Sequence, residues 1–453
     1  MPGDTEASVA YYESRKGAMF DETEFFGLQA IIIENLLGKV VTREKIEDAA
    51  RFTKAHLGDE SLFNRKGWEH ILNEYDGCLP VRIKAIPEGT PIPVSNVLMT
   101  VENLGGPLTA FLTNHLETIL SHVWYTSMVA TLSRETKKVL KHFLAQTSDN
   151  MGGINFMLHD FGFRGVSSIE SAGMGGMAHL TNFLGTDTPV AIDDAVEYYG
   201  KHICDPDLRN DPTAYEGIGY SVPASEHSVM TARGPEGEAR VIGELLEKFP
   251  KGILSLVIDS YGYKNCLANI IGGQFREAVL ARDGVLVCRP DSGNPEEVTL
   301  ECLNILGEKF GFTTNTKGYR VLNPKVKVLW GDGIDLHDVK NILGAMMVYN
   351  WSADNIVFGM GGGLLQKVNR DNQRFAFKSS AQKRSGIWYD IYKNPTDISK
   401  ASKRGKLALI KTGGVYSTVA SPNEGDLLQV VFENGKLTNP ITFAEVRKNA
   451  ELP

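Results

Sequence analysis

One short segment, residues 285–295, constrains the fold of this chain more than any other. It reads Val-Leu-Val-Cys-Arg-Pro-Asp-Ser-Gly-Asn-Pro and passes from an apolar run into Arg289 and Asp291. Because the run does not alternate with polar residues, it predicts a strand that is buried on both faces. Its carboxyl end, where Arg289 and Asp291 lie, is where α/β barrels and parallel sheets place their chemistry. Arginine can bind phosphate and a carboxylate can accept hydrogen bonds from sugar hydroxyls, so the pair indicates a phosphorylated-sugar site.

The same strand–turn–helix pattern occurs three more times around this segment. The apolar runs 253–258, 326–330 and 356–358 each end in Asp, Ser or Gly and precede a helix-like stretch. Any one of these turns has an ordinary explanation, since glycine and aspartate are common turn and cap residues. Four consecutive units predict parallel strands that are joined by crossover helices.

Composition limits the class of protein. The 453 residues suggest two domains, and the formal net charge of -8 argues against nucleic-acid or membrane-surface partners. The five cysteines show no Cys-x-x-Cys spacing, which indicates reduced thiols and a cytoplasmic location. No apolar stretch approaches the length of a membrane span.

The organisation of the chain changes near residues 150 and 367. The first part is largely helical: Asp21 is expected to cap a helix over 24–37, and a helical run over 107–146 is expected to break near Tyr125. The last part is β-rich and contains the hairpin turn Glu-Asn-Gly at 433–435. We expect residues 1–150 and 367–453 to form one flanking α+β domain, and residues 151–366 to form an α/β barrel.

Three further motifs carry candidate functional residues. Residues 159–165 combine Phe161 with Arg164, residues 185–188 place Asp187 between two threonines, and residues 221–228 place His227 just inside a predicted helix. Each motif alone fits an ordinary structural role. Beside phosphates, however, the histidine could carry a proton or a phosphoryl group.

Taken in order along the chain, these motifs resemble the nicotinamide phosphoribosyltransferase family. The resemblance covers the chain from Tyr11 onward. Its segments are residues 12–15, 25–29, 38–42, 159–168, 185–188, 221–228, 289–295, 331–335, 361–367 and 447–452. The resemblance implies the type II phosphoribosyltransferase fold, an irregular α/β barrel with a flanking α+β domain. It also implies a homodimer whose active sites lie between subunits.

By the same resemblance, the reaction joins nicotinamide to 5-phosphoribosyl 1-pyrophosphate and gives nicotinamide mononucleotide and pyrophosphate. Such a reaction needs mainly positioning and charge stabilisation from the protein. Magnesium is expected to arrive with the pyrophosphate, and no protein metal site is expected. Phe161 is expected to stack on the nicotinamide ring, Asp187 to accept from its amide nitrogen and Arg289 to donate to its carbonyl.

The resemblance also assigns the sugar and phosphate contacts. Ribose hydroxyls are assigned to Asp291, Gly331 and Asp332, and the 5'-phosphate to backbone N–H groups at Gly361 and Gly362. The phosphate-binding cations, some reaching across the dimer, are Arg15, Arg164, Arg370, Lys378 and Lys400.

In the family, the histidine that matches His227 is phosphorylated by ATP, and ATP hydrolysis is coupled to synthesis without being required. Glu226 and Asp259 are expected to orient His227. The expected catalytic group is therefore His227, Asp259, Arg289 and Asp291, with ATP as an optional phosphodonor.

The chain departs from the family pattern at its start, which leads to one expectation and leaves two alternatives open. An Asp-Ser-Tyr-Lys type segment, whose tyrosine covers the second face of nicotinamide, does not precede residues 12–15, so weaker nicotinamide binding is expected. The alternatives are a nicotinate phosphoribosyltransferase and a catalytically weakened homologue that binds sugar phosphates. Asp187 argues against the first, because its carboxylate would repel the carboxylate of nicotinate.

Overall fold

The computed structural model describes residues 2–201, 211, 213–393 and 401–453. Its strands are β1 (Thr5–Glu13), β2 (Glu22–Glu24), β3 (Val81–Ala85), β4 (Pro91–Pro93), β5 (Val97–Asn103), β6 (Leu158–Asp160), β7 (Gly185–Thr186), β8 (Lys251–Val257), β9 (Asp283–Arg289), β10 (Phe312–Thr314), β11 (Arg320–Leu322), β12 (Val326–Trp330), β13 (Ile356–Met360), β14 (Ala376–Arg384), β15 (Ile387–Asp390), β16 (Leu407–Thr412), β17 (Val415–Ala420), β18 (Gln429–Glu433) and β19 (Lys436–Leu437).

Its α-helices are α1 (Leu28–Asn35), α2 (Arg43–Leu57), α3 (Arg65–Glu74), α4 (Leu112–His115), α5 (Glu117–Ser121), α6 (Val123–Thr147), α7 (Ile169–His179), α8 (Pro189–Tyr199), α9 (His227–Met230), α10 (Glu238–Lys248), α11 (Tyr263–Asn265), α12 (Arg276–Ala281), α13 (Pro295–Phe310), α14 (Leu336–Val348), α15 (Gly362–Leu365) and α16 (Phe443–Ala450). A π-helix covers Cys266–Gln274. Within the described ranges, no helix combines the length and the apolar character that crossing a membrane requires.

The parallel sheet has the strand order β7-β6-β13-β12-β9-β8. All five pairings between neighbours are parallel. The segment 220–225 joins the two edges, because it forms parallel bridges from Tyr220 to Gly185 on β7 and from Ala224 to Ser255 on β8. The sheet thus closes into the irregular α/β barrel that the sequence predicted.

The four apolar runs that were predicted as strands are β8, β9, β12 and β13. The last four residues of β8 and of β9 and the last three of β12 and of β13 are buried without alternation, as expected for strands covered on both faces. Helix α13 shows how the crossovers form: the Asn294 side chain accepts from the Glu297 N–H at 3.0 Å, and Pro295 follows at the first helical position. The helix then buries Val298, Cys302 and Leu306. Burying such a side chain contributes about 1.5–3 kcal/mol for the larger apolar types.

A second sheet is built from both ends of the chain. Its strand order is β15-β14-β1-β5-β3-β18-β19, and β1 pairs antiparallel with β14, so that Tyr12 lies opposite Phe377. The predicted hairpin at 433–435 joins β18 to β19, with Asn434 at φ 50° and Gly435 at φ 76°. Positive φ at both central residues is what a tight hairpin turn requires. The domain boundaries at 150 and 367 stay a prediction.

Two local expectations were wrong. Asp21 caps no helix, because residues 22–24 form strand β2 and α1 begins at Leu28 after Gly27. The buried Glu24 accepts from Thr181 at 2.6 Å and Asn182 at 2.8 Å, and tertiary contacts thus override the local capping pattern. 

The predicted break near Tyr125 is also absent, since the residue lies inside α6 and the interruptions precede Val123. Thr126 and Ser127 do not break the helix, because their hydroxyls donate to the carbonyl of Phe26 at 2.6 and 3.2 Å. A polar pattern that suggests a loop can therefore belong to a helix whose hydroxyls have tertiary partners.

Candidate active site

A polar cavity of about 630 Å³ opens at the carboxyl ends of the barrel strands, and we call it the barrel mouth. It contains nine of the residues that the sequence predicted as functional, although they come from distant parts of the chain. The lining residues are Phe161, Phe163, Arg164, Gly165, Asp187, Glu226, Arg289, Gly331, Asp332, Gly333, Ile334, Gly361, Gly362, Gly363 and Lys367.

A second cavity, of about 380 Å³, lies inside the barrel behind the mouth. It shares Phe161, Asp187 and Arg289 with the mouth, and its walls include apolar side chains of β9, β12 and β13, among them Val287 and Leu329. The three shared residues thus stand between a polar entrance and an apolar interior. Such a boundary suits a flat aromatic ligand that has one polar substituent.

Phe161 and Arg289 face each other at this boundary. The Arg289 guanidinium carbon lies 5.2 Å from the centre of the Phe161 ring. Space for the ring comes from Gly359, where a Cβ would lie 2.0 Å from a ring atom. Arg289 is 8% exposed and donates from Nε and Nη2 to Asp291 Oδ1 at 3.0 and 2.9 Å. The arginine is therefore held in one orientation by an ion pair and an aromatic face.

His227 extends this set of paired charges. Its Nε2 lies 3.1 Å from Asp259 Oδ1, and its Nδ1 lies 3.8 Å from Asp291 Oδ2. Ser292 donates to the other oxygen of Asp259, whose side chain is 6% exposed. The imidazole itself is 46% exposed, so a ligand in the mouth can reach it while the two carboxylates fix its orientation.

Glu226 also lines the mouth, at the residue before α9, and its side chain is exposed. Within the described part of the chain, no hydrogen bond joins its carboxylate to His227. Its expected role in orienting the histidine stays a prediction.

Asp187 follows β7, and its carboxylate accepts a hydrogen bond from the Ser221 hydroxyl. Asp332 follows β12 on the other side of the mouth. Burial raises the pKa of the Asp332 carboxyl, the negative charge of Asp291 raises it further, and Arg289 acts in the opposite direction. The mouth therefore holds several carboxylates around one buried guanidinium.

The glycine-rich turn at 361–363 has little room for side chains. A Cβ on Gly361 would lie 3.2 Å from the Phe161 carbonyl oxygen, and a Cβ on Gly363 would lie 2.3 Å from that of Ile334. Helix α15 begins here, with Gly361 as the residue before its first turn. The main chain of this turn therefore forms part of the surface of the mouth.

Four residues at the site were not predicted from the sequence. Ser221 and Ser292 donate to Asp187 and Asp259, and Phe163 and Lys367 line the mouth. All four lie inside motifs that the sequence had already marked as functional. Their position next to the predicted residues was the signal that could have identified them.

Three of the predicted cations lie elsewhere, and we call Arg15, Arg370 and Lys378 the sheet cation group. None of them lines the barrel mouth; Lys378 lies on β14 opposite Tyr11 of β1. Burial lowers the pKa of the Lys378 ammonium; Glu117 opposes this shift, and the charges of Arg15, Lys393 and Arg370 add to it. In the described ranges, none of the three forms a salt bridge, and Arg15 Nε is buried without a hydrogen-bond partner. Lys400 lies outside the described residues.

Among the described residues, no three or more His, Cys, Asp or Glu side chains are grouped so that they could hold a metal ion. Three carboxylates at the site have other partners: Asp187 accepts from Ser221, Asp259 contacts His227 and accepts from Ser292, and Asp291 accepts from Arg289.

Two sequence models of protein families match the chain. The "Nicotinate phosphoribosyltransferase (NAPRTase) family" matches residues 156–436, and "Nicotinamide phosphoribosyltransferase, N-terminal domain" matches residues 1–83. Together the two matches cover the barrel, the first strand of the antiparallel sheet and much of its remainder.

Proteins with a similar sequence point to the same two families. The chain is 42% identical over 463 residues to a nicotinamide phosphoribosyltransferase of Xanthomonas campestris pv. campestris (strain 8004), which covers 99% of this chain and 94% of the relative. It is 31% identical to one of Acinetobacter baylyi (strain ATCC 33305 / BD413 / ADP1), over 94% of this chain and 88% of that relative. A crystal structure of nicotinate-nucleotide pyrophosphorylase from Pyrococcus furiosus shares the fold, with a TM-score of 0.58, 14% identity and coverage of 98% and 88%.

Proposed function

The chain belongs to the nicotinamide phosphoribosyltransferase family, a family of enzymes, and we propose that it joins nicotinamide to 5-phosphoribosyl 1-pyrophosphate. The products are nicotinamide mononucleotide and pyrophosphate, and the reaction serves NAD salvage. The observation that carries this proposal is the meeting of Phe161, Arg289 and Asp187 at the boundary between a polar mouth and an apolar interior.

The proposed nicotinamide site uses these three residues. The ring stacks on Phe161, the Arg289 guanidinium donates to the amide carbonyl, and the Asp187 carboxylate accepts from the amide nitrogen. The guanidinium already lies 5.2 Å from the ring centre of Phe161, within reach of a ligand stacked there. The opposite polarities of Arg289 and Asp187 match the two ends of a carboxamide.

The sugar phosphate takes the remainder of the mouth. Asp332 of the mouth and Asp291, which pairs with Arg289, accept from the ribose hydroxyls beside the Gly331 main chain, and the turn at 361–363 binds the 5'-phosphate. Arg164 and Lys367 line the same cavity and supply positive charge. In this proposal the sugar lies between the nicotinamide site and the glycine-rich turn.

The chemistry then follows from placement. Departure of pyrophosphate leaves positive charge on C1 of the ribose, which the nicotinamide ring nitrogen attacks while the nearby carboxylates stabilise the charge. Holding the two reactants in one cavity supplies most of the acceleration such a reaction needs. Magnesium enters as part of the pyrophosphate-bearing substrate, which requires no dedicated set of protein ligands.

The sheet cation group supports a homodimer with shared sites. Pyrophosphate is a strong polyanion, yet Arg15, Arg370 and Lys378 do not line the mouth of their own chain. We propose that a second copy supplies them to the pyrophosphate end of each site. We also propose a cytoplasmic location, because the four cysteines in the described part of the chain are free thiols, as expected in a reducing compartment.

ATP is the proposed phosphodonor for His227. The imidazole is half exposed beside the mouth, and Asp259 Oδ1, 3.1 Å from Nε2, would hold the ring in one orientation. Phosphorylation there would place negative charge close to the pyrophosphate position and would couple ATP hydrolysis to synthesis.

Nicotinate is the competing substrate, because one matching family model carries that name. The test is an assay of the purified protein with 5-phosphoribosyl 1-pyrophosphate and either pyridine, with both mononucleotides separated by chromatography. We expect nicotinamide mononucleotide to form at the higher catalytic efficiency. A higher efficiency with nicotinate would contradict the proposal and the role of Asp187.

A further inference from the structure

Asp160 is a buried carboxylate at the edge of the active site to which no function has yet been given. It is the last residue of β6, directly before Phe161, and is 0% exposed. Its Oδ1 accepts from the Gly162 N–H at 2.7 Å, so the side chain holds the turn that carries Phe161. Its main-chain oxygen accepts from the Asp187 N–H at 2.9 Å. One residue therefore touches the backbone on both sides of the proposed nicotinamide site.

The burial of this carboxylate is costly. In the described part of the chain it forms no salt bridge. Burial raises the pKa of the Asp160 carboxyl to about 6; the Gly162 N–H and the hydroxyls of Thr188 and Thr186 oppose the shift, and the charge of Asp187 adds to it. The ionisable groups that face it are Asp187 after β7 and Tyr125 of α6. A buried carboxylate that has no cation beside it destabilises the fold. The reason that an aspartate stands at this position is therefore to be sought in function.

The neighbouring backbone leaves space for this side chain. A Cβ on Gly176 of α7 would lie 2.8 Å from Asp160 Oδ2, and a Cβ on Gly162 would lie 3.0 Å from Oδ1. Phe161 is fixed on its other side, because its N–H donates to the Met360 carbonyl of β13 at 3.0 Å. The turn thus has two fixed points, one of which is the Asp160 carboxylate.

We propose that Asp160 is a positioning residue that acts through the Phe161–Gly162 turn and holds the Phe161 ring against the nicotinamide site. This inference rests on the proposed function. The ionised carboxylate suits the role, because a hydrogen bond to a charged acceptor is shorter and stronger than one to a neutral acceptor. Asp160 touches no substrate, so its effect appears in nicotinamide binding and leaves the chemical step largely intact.

The first test compares Asp160→Ala with Asp160→Asn in the full-length protein. Alanine removes the acceptor, and we expect the Michaelis constant for nicotinamide to rise by about tenfold or more. Asparagine keeps a neutral acceptor, and we expect a rise of roughly two- to threefold. In both variants kcat and the Michaelis constant for 5-phosphoribosyl 1-pyrophosphate should change less than about twofold.

The pH profile distinguishes positioning by charge from simple packing. In the wild type, the Michaelis constant for nicotinamide should rise as the pH falls below about 6, because Asp160 then becomes neutral. Asp160→Asn should lack this rise. The matched control is Glu24→Gln, since burial raises the pKa of Glu24 to about 7 while its partners Thr181 and Asn182 lie outside the mouth. We expect the control to keep the wild-type profile.

A double-mutant cycle with Phe161→Leu tests the route of the effect. If Asp160 acts through Phe161, then Asp160→Ala should change the nicotinamide Michaelis constant by less than about twofold in the Phe161→Leu background. An equal effect in both backgrounds would overturn the proposal, as would an unchanged constant in Asp160→Ala. If Asp160→Ala does not fold, Asp160→Asn and its pH profile decide. A wild type that makes no nicotinamide mononucleotide would overturn the proposed function and this role together, whereas an active wild type isolates the positioning role.

Discussion

The barrel mouth and the sheet cation group differ in whether their charged side chains form ion pairs. Arg289 of the mouth and the adjoining Asp291, His227 and Asp259 pair with one another within a single chain. In the described ranges, the sheet cation group has no salt bridges, and its charges repel one another at Lys378. These paired charges are therefore preorganised before substrate binds, whereas under the proposed function the cations gain their partner from the pyrophosphate of the substrate.

In the proposed function, this difference corresponds to two tasks, positioning of the nicotinamide ring and attraction of the pyrophosphate. A preorganised set of charges positions a small, nearly neutral ring, for which each contact must already be in place. Unpaired cations attract a polyanion, and the electrostatic attraction needs less exact geometry. Substitutions in the two regions should therefore change different kinetic constants.

The largest expected effect concerns ATP. His227→Ala should abolish ATP hydrolysis and acid-labile phosphate on the protein, because no imidazole remains to accept the phosphoryl group. Weak ATP-independent synthesis should persist, since the other charged groups of the mouth are unchanged. Radiolabelled ATP and a product assay measure both activities; equal labelling of the variant would disprove the assignment.

Arg289→Ala should reduce the catalytic efficiency with nicotinamide by at least about a hundredfold. It removes the carbonyl donor and leaves Asp291 without its buried partner, and breaking a buried pair costs about 3–5 kcal/mol. Arg289→Lys is the matched control, because it keeps the charge but loses the planar fork, and it should recover part of the activity. Steady-state kinetics with thermal unfolding separate lost catalysis from lost stability. If Arg289→Ala changed only the Michaelis constant for 5-phosphoribosyl 1-pyrophosphate, the proposed division of tasks between the barrel mouth and the sheet cation group would be wrong.

The sheet cation group is tested by complementation. Lys378→Ala should raise the Michaelis constant for 5-phosphoribosyl 1-pyrophosphate by about tenfold or more, with less effect on nicotinamide. If the group acts across a dimer, unfolding and refolding Lys378→Ala together with Arg289→Ala should restore about a quarter of wild-type activity, since half of the random dimers carry one intact site. Lys411→Ala, an exposed lysine on β16, serves as the control. No recovery on mixing would argue that each site belongs to one chain.

Asp187→Asn should lower the preference for nicotinamide over nicotinate by about tenfold or more, because an amide can donate to a carboxylate that aspartate repels. The ratio of the two catalytic efficiencies is the measurement. An unchanged ratio would show that Asp187 does not recognise the amide, and the selectivity would have to be sought at Arg289.

The smallest expected effect is a pH dependence of sugar-phosphate binding. Burial lowers the pKa of Lys378, so its positive charge is present below that pKa and is lost as the pH rises through it. The Michaelis constant for 5-phosphoribosyl 1-pyrophosphate should therefore rise by a few-fold toward alkaline pH, earlier than for an ordinary lysine with a pKa of about 10.4. Lys378→Arg should remove this dependence, because arginine stays charged. A similar rise in the arginine variant would assign the effect to another group.

The sequence predicted the barrel better than its surroundings. The strand at 326–330 was located to the residue, and Arg289 and Asp291 lie where the apolar run predicted. The predictions worked because a strand that is buried on both faces leaves a continuous apolar run in the sequence. The cap expected at Asp21 failed, since Glu24 has partners more than a hundred residues away that no local pattern contains.

The site was predicted residue by residue, but its assembly was not. The sequence marked Phe161 and Asp187 without showing that one residue, Asp160, contacts the backbone beside both, through its carboxylate at Gly162 and its main-chain carbonyl at Asp187. Nor could it show that the sheet cation group lies away from the barrel mouth. Both facts depend on contacts between elements that are distant in the chain, which spacing and periodicity do not encode.

The pairing of β1 with β14 affects how the chain can fold during synthesis. Ser379 and Val9 are neighbours in the sheet although 370 residues separate them. At about 5–20 residues per second, β1 must wait roughly 20–70 seconds for its partner to leave the ribosome. Strand β5 follows much sooner and can pair with one edge of β1, but the edge that faces β14 stays unpaired during that time. Chaperones are therefore expected to protect this edge of β1 until β14 emerges.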